Sequence, residues 1–218
     1  MTLSSDLHNS NHSLWEKMVT HPFVLELGDG KLSQERFRRY LLQDYVFLRT
    51  LAKVVGVAVA RAPSLEAAQP MAPFLTTILN AENDLFARAF QEMGVPLQEY
   101  HGAQPLPTTL AMGNFMLATA YDGTFDDIAT IFMVTEGAYH DWATRLAAAG
   151  KRPSQRMYQE WIDIHAAQEL GDFVAALRRH VDSLPATAMP RLQAVFRTTL
   201  RYEYLFWEMA YNGESWPK

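Results

Sequence analysis

The sequence predicts an all-α, bundle-like domain of about eight helices. Three observations predict it. Apolar residues recur at spacings of three and four along most of the 218 residues. No run of alternating β-branched residues suggests a strand. The 11 glycines and 11 prolines fall between the periodic segments rather than inside them.

The first helix is expected from Ser4 to about Val19, followed by His21-Pro22-Phe23 and a turn at Gly28-Asp29-Gly30. Ser33 is a suitable N-cap, and Glu35 in the first turn favours the helix dipole. The helix it opens runs from Gln34 to about Arg61 and stops near Pro63. A third helix spans about Pro73 to Met93, with Gly94 as its C′ residue. Val95 to Pro105 reads as a loop. A fourth helix covers Thr108 to Tyr121 and ends at Asp122-Gly123. Thr124 and Asp127 resemble a capping box for a fifth, which reaches about Ala149 with Gly150 behind it. Shorter helices follow over Gln155–Ile164 and Leu170–Ser183. Pro185 and Pro190 introduce a last one, about Arg191 to Tyr211. No linker divides the chain, so residues 1–218 read as one domain.

Composition excludes several classes of function. Hydrophobic residues make up 49%, enough to close a core, and no stretch approaches the ~18 uninterrupted apolar residues of a membrane span. A net charge of −5 without a basic patch argues against nucleic acid as a partner. The start of the chain is polar and lacks the features of a secretory signal, so the cytoplasm is the expected compartment. Cysteine is absent, which removes disulfides, thiolate metal sites and a cysteine nucleophile. There is no glycine-rich phosphate loop, no Gly-x-Ser-x-Gly elbow and no His-Glu-x-x-His.

The informative residues are acids on apolar faces. In the second helix the stripe reads Phe37, Leu41, Asp44, Leu48, Leu51, Val55. In the fifth it reads Ile128, Phe132, Glu136, Tyr139, Ala143, Leu146. In the last it reads Leu192, Val195, Phe196, Thr199, Glu203, Phe206, Ala210. A buried, unpaired carboxylate costs several kcal/mol. One such acid can snorkel or cap a neighbouring turn; three on three long helices point to a shared polar pocket. Glu82 shares a face with Ile78, Leu85 and Ala89, but Asn83 and Asp84 beside it suggest the polar side of its helix. Tyr40, Tyr45 and Phe47 surround Asp44, Tyr139 follows Glu136 by three residues, and Tyr202, Phe206 and Trp207 surround Glu203. Most of these aromatics are expected in the core, and a few could wall a slot for a flat ring whose nitrogens the acids read. His140 lies one turn from Glu136, yet Glu136-x-x-x-His140 lacks the spacing and the second copy that a di-iron bundle needs. His165, after Trp161-Ile162, can approach the pocket, although a histidine so placed is more often structural; His8, His12, His101 and His180 read as surface or loop residues.

These residues resemble the TenA/thiaminase II family, related to the pyrroloquinoline quinone synthesis C proteins. The resemblance rests on His21-Pro22-Phe23, Gly28-Asp29-Gly30-Lys31-Leu32 and Phe37-Arg38-Arg39-Tyr40-Leu41-Leu42-Gln43-Asp44-Tyr45. It continues through Tyr158-x-x-Trp161-Ile162 to Tyr202-Glu203-Tyr204-Leu205-Phe206-Trp207-Glu208-Met209-Ala210-Tyr211, nearly the whole chain in order. It implies a haem-oxygenase-like helical bundle and a thiamin-salvage hydrolase of an aminopyrimidine, cleaving either an aminomethyl C–N bond or an N-formyl amide. It implies Glu136 and Glu203 as the catalytic pair and Asp44, Tyr45, Phe47, Met112 and Tyr139 as substrate-binding residues. Thr135 stands where the larger branch carries its cysteine and Met112 where a tyrosine stacks on the ring. Glu136 beside Thr135 resembles the cysteine-free TenA-E branch. No cofactor or metal is implied, and the resemblance implies a homotetramer or homodimer. Two other readings stay open: a pyrimidine or heteroaromatic-binding protein without turnover, and a metal-dependent oxygenase using Glu82, Glu136, His140 and Glu203.

Overall fold

A computed structural model describes residues 2–217, and every regular element among them is helical. In chain order these are α1 (Leu3–Asn9), α2 (His12–Val19), α3 (Pro22–Gly28), α4 (Gln34–Arg61), α5 (Leu65–Ala68), α6 (Met71–Thr77) and α7 (Asn83–Glu92). They continue with α8 (Leu97–His101), α9 (Pro107–Asp122), α10 (Phe125–Ala148), α11 (Arg156–His165), α12 (Gln168–Asp182) and α13 (Met189–Asn212). A π turn, Ile78–Glu82, joins α6 to α7, and a 3₁₀ turn, Ala186–Ala188, precedes α13. Among the described residues no helix is long and apolar enough to cross a membrane.

The caps act where the sequence puts them. Ser33 accepts the Arg36 N–H through its hydroxyl and opens α4, which runs from Gln34 to Arg61 as expected. Asp127 accepts the Thr124 N–H at 2.8 Å and fixes the start of α10. Gly94 and Gly150 have φ of +67° and +70° behind α7 and α10, the left-handed C′ positions that favour glycine.

Three stretches differ from expectation. The first helix is broken into α1 and α2, because buried Asn11 turns its side-chain amide back to the Leu7 carbonyl at 2.7 Å. Pro22–Gly28 is itself helical: His21 accepts the Phe23 N–H as N-cap and Pro22 sits in the first turn. The stretch expected as a loop from Val95 to Pro105 contains α8.

Helix α10 forms the axis of the fold. Its residues are buried on nearly every side, and it packs on α2, α3, α4, α9, α11, α12 and α13. Helices α4, α9 and α13 also pack on one another, so the faces carrying Asp44, Met112 and Glu203 meet beside α10. Much of the recognisable sequence pattern holds this frame together. Arg36 and Arg39 donate to the Tyr211 and Ala210 carbonyls, His21 lies 3.1 Å from Glu208, and Tyr158 donates to the Leu32 carbonyl at 2.9 Å.

Candidate active site

A cavity of about 600 Å³ opens among α4, α6, the π turn, α9, α10, α11, α12 and α13. Asp44 and Phe47 reach it from α4, Met112 from α9, Thr135, Glu136 and Tyr139 from α10, and Glu203 and Phe206 from α13. The three mid-stripe acids of the sequence therefore line one space. Glu203 is only 3% exposed. Asp44 and Glu136 are half-buried, because their remaining surface faces the cavity.

Burial and mutual repulsion set the protonation of this group. Burial pushes the Asp44 carboxyl up to about 7, with the Tyr40 hydroxyl beside it pulling the other way. Burial likewise pushes Glu136 up to about 8; the Thr135 hydroxyl, which donates to it at 3.0 Å, offsets a part, and the charge of Asp44 adds to the rise. Glu203 is pushed well above the carboxylate range by burial, then by Glu136 and Asp44. At neutral pH such a set holds protonated and ionised carboxyls side by side, which is what paired acid and base functions require.

Tyr139 is held from two sides. Its hydroxyl lies 3.0 Å from that of Tyr40, and its ring stacks on Trp207 at 5.4 Å. Trp207 in turn stacks on Phe23 at 4.6 Å. The His-Pro-Phe segment near the start of the chain thus buttresses a cavity residue through one intervening indole.

Tyr45 requires a correction. It does not line the cavity; its ring packs against Phe86, Phe90 and Tyr100 and lies parallel to His101. Successive residues of a helix point about 100° apart, so the neighbour of Asp44 faces elsewhere.

Two further residues, for which the sequence favours a structural place, line the cavity. Glu82 reaches the cavity, not the surface, and burial together with Asp44 and Glu136 raises it well above the carboxylate range. The π turn that ends on Glu82 inserts extra chain into the helix and rotates its faces, so the polarity of Asn83 and Asp84 was a poor guide to position 82. Its place on the Ile78–Leu85–Ala89 face was the available signal. His165 also lines the cavity. Its Nδ1 faces the Trp161 carbonyl at 2.8 Å, which fixes the proton there and leaves Nε2 as an acceptor. Burial lowers it to about 4, so it is neutral at physiological pH. His140 stays outside the cavity and meets the His165 carbonyl at 3.0 Å.

Among the described residues, no three His, Cys, Asp or Glu side chains are arranged to hold a metal ion. The donor set of the oxygenase reading, Glu82, Glu136, His140 and Glu203, therefore does not assemble: His140 is turned to a backbone carbonyl.

The family profile described as TENA/THI-4/PQQC matches residues 8–213. The chain belongs to this family. Similar proteins include an aminopyrimidine aminohydrolase of Halalkalibacterium halodurans, 28% identical over 99% of this chain and 98% of that one. Another, of Helicobacter pylori, is 29% identical over 98% of this chain and all of the other. The TenA homologue of P. horikoshii OT3 superimposes with a TM-score of 0.90 at 27% identity, covering 98% of this chain and 100% of that one. The chain has no cysteine. Thr135, half of a hydrogen bond to Glu136, lines the cavity where the family resemblance puts a thiol.

Proposed function

We propose that this protein hydrolyses an exocyclic C–N bond of an aminopyrimidine, replacing an aminomethyl nitrogen by water. The observation that carries this reading is the meeting of Asp44, Glu136 and Glu203, from three helices, in one cavity walled by Phe47, Met112, Tyr139 and Phe206. The relatives named above as aminopyrimidine aminohydrolases, similar over nearly their full length, support the same substrate class.

The roles follow from chemistry and position. Asp44 pairs with a ring nitrogen and amino group, since a carboxyl matches the in-plane edge of an aminopyrimidine. Phe47, Met112 and Phe206 supply apolar contact to the ring faces. Glu136, in its ionised form, takes a proton from the attacking water, and Glu203 keeps a proton on the departing nitrogen. The C–N bond breaks with its electron pair going to nitrogen, a C–O bond forms to the water oxygen, and ammonia leaves. Tyr139, fixed by Tyr40 and Trp207, donates a hydrogen bond at the reacting end. Thr135 is an ordinary alcohol, a poor nucleophile, and its hydroxyl holds Glu136 in place; direct displacement by water is therefore preferred to a covalent intermediate.

The test is product analysis by mass spectrometry with thiamin, aminomethyl-aminopyrimidine and its N-formyl derivative side by side. Ammonia and a hydroxymethylpyrimidine formed from the second substrate are expected. Binding of all three without any product would overturn the catalytic reading.

A further inference from the structure

The cavity wall is one-sided in charge. Asp44, Glu82, Glu136 and Glu203 line its interior, and the exposed carboxylates of Glu169 and Asp172 on α12 flank its outer part. No lysine or arginine lines it, and the one imidazole, His165, is neutral. Glu203 is nine-tenths buried, aims into the space and has no hydrogen-bond partner among the described residues; Glu82 also has none. Carboxylates withdrawn from bulk water without a counter-charge are unfavourable, so a ligand that supplies the missing positive charge gains by entering.

We propose that Glu82 makes this cavity a site for an organic cation: it selects a pyrimidine bearing a protonated primary amine over the neutral counterpart of the same shape. The inference rests on the proposed function and assigns to Glu82 its preference for the amine over uncharged counterparts, the N-formyl amide included. Glu82 suits this part because the other three acids have work at the ring or at the breaking bond. The acids at the mouth act in the same sense, drawing cations toward the opening. A protonated amine already carries the proton with which its nitrogen departs, so selecting it at entry serves the chemistry that follows. It also favours turnover: the hydroxymethyl product is neutral and loses its hold on Glu82.

Entry of a cation lowers the proton affinity of every acid it faces, namely Glu82 on the π turn, Asp44 on α4, Glu136 on α10 and Glu203 on α13. Tyr139 and His165 do not change state near neutrality, the first held high and the second held low by burial. Binding of the amine therefore releases protons.

The experiment is calorimetry on the turnover-blocked Glu136→Gln protein, with and without Glu82→Gln, titrated with the aminomethyl- and the hydroxymethyl-aminopyrimidine. With Glu82 present the amine should bind at least ~10-fold more tightly than the alcohol, and Glu82→Gln should erase most of that preference. A preference unchanged by Glu82→Gln overturns the assignment. As a measurement independent of that variant, the amine titrated in phosphate and in Tris at the same pH should show a buffer-dependent heat from released protons; equal heats overturn it. Equal binding of the two ligands would defeat charge selection alone, whereas failure of both to bind would defeat the proposed function with it.

Discussion

The hydroxyl of Tyr40 lies 3.0 Å from the hydroxyl of Tyr139, joining a residue fully enclosed in the core to one at the edge of the cavity. Tyr40 also stands beside Asp44, so one phenol touches both the proposed ring-binding acid and the proposed donor. Tyr40→Phe should cost about 1 kcal/mol of stability, the worth of one hydrogen bond, and should lower kcat more than it raises KM. Chemical denaturation together with steady-state kinetics separates the two effects; unchanged kinetics would mean that Tyr139 needs no such support.

Glu136→Gln should reduce turnover by roughly 10²–10⁴-fold, the usual contribution of a general base, with the protein still binding its pyrimidine. Glutamine keeps the shape and can still accept the Thr135 hydroxyl. A fully active variant would remove Glu136 from the mechanism.

Stability should depend on pH through the same acids. Asp44 and Glu136 have folded-state values near 7 and 8, above their unfolded values near 4. Between about pH 4 and 8 the native state therefore holds more protons than the unfolded state, and stability falls as pH rises through that window. The melting temperature of the ligand-free protein should drop from pH 5 to pH 8.5 more steeply than that of Asp44→Asn/Glu136→Gln. Parallel curves would contradict the burial-driven rise of these two carboxyls.

Gly171→Ala tests the support behind His165. A Cβ at position 171 would sit 2.9 Å from Nε2 of His140, whose Nδ1 meets the His165 carbonyl. Overpacking of this kind costs about 1–3 kcal/mol. The variant should be less stable by thermal melting and should bind its pyrimidine more weakly, and His140→Ala in the same chain should relieve the crowding. Gly171→Ala with wild-type stability would show that the ring moves freely.

The parts of this fold that are legible in the sequence are those governed by local rules. Ser33 and Thr124 announce α4 and α10 by capping chemistry, and Asp44, Glu136 and Glu203 stand out because a regular helix repeats its faces every 3.6 residues. Glu82 was hidden because the π turn breaks that repeat where it matters, and nothing in Ile78–Glu82 itself announces a π turn. Tyr45 was misjudged because closeness in sequence to Asp44 stood in for closeness in space. The break between α1 and α2 depends on the side chain of Asn11 turning back on the Leu7 carbonyl, a choice made in a buried setting that the local sequence does not reveal.

The stack from Phe23 through Trp207 to Tyr139 has a consequence for how the molecule matures. Its three rings come from α3, α13 and α10, elements far apart in sequence, and Glu203 itself belongs to α13. This centre cannot assemble until α13 has docked against α3 and α10. Recovery of catalysis after dilution from denaturant should accordingly trail the return of helical circular dichroism, and the interval between them would time the docking of that closing segment.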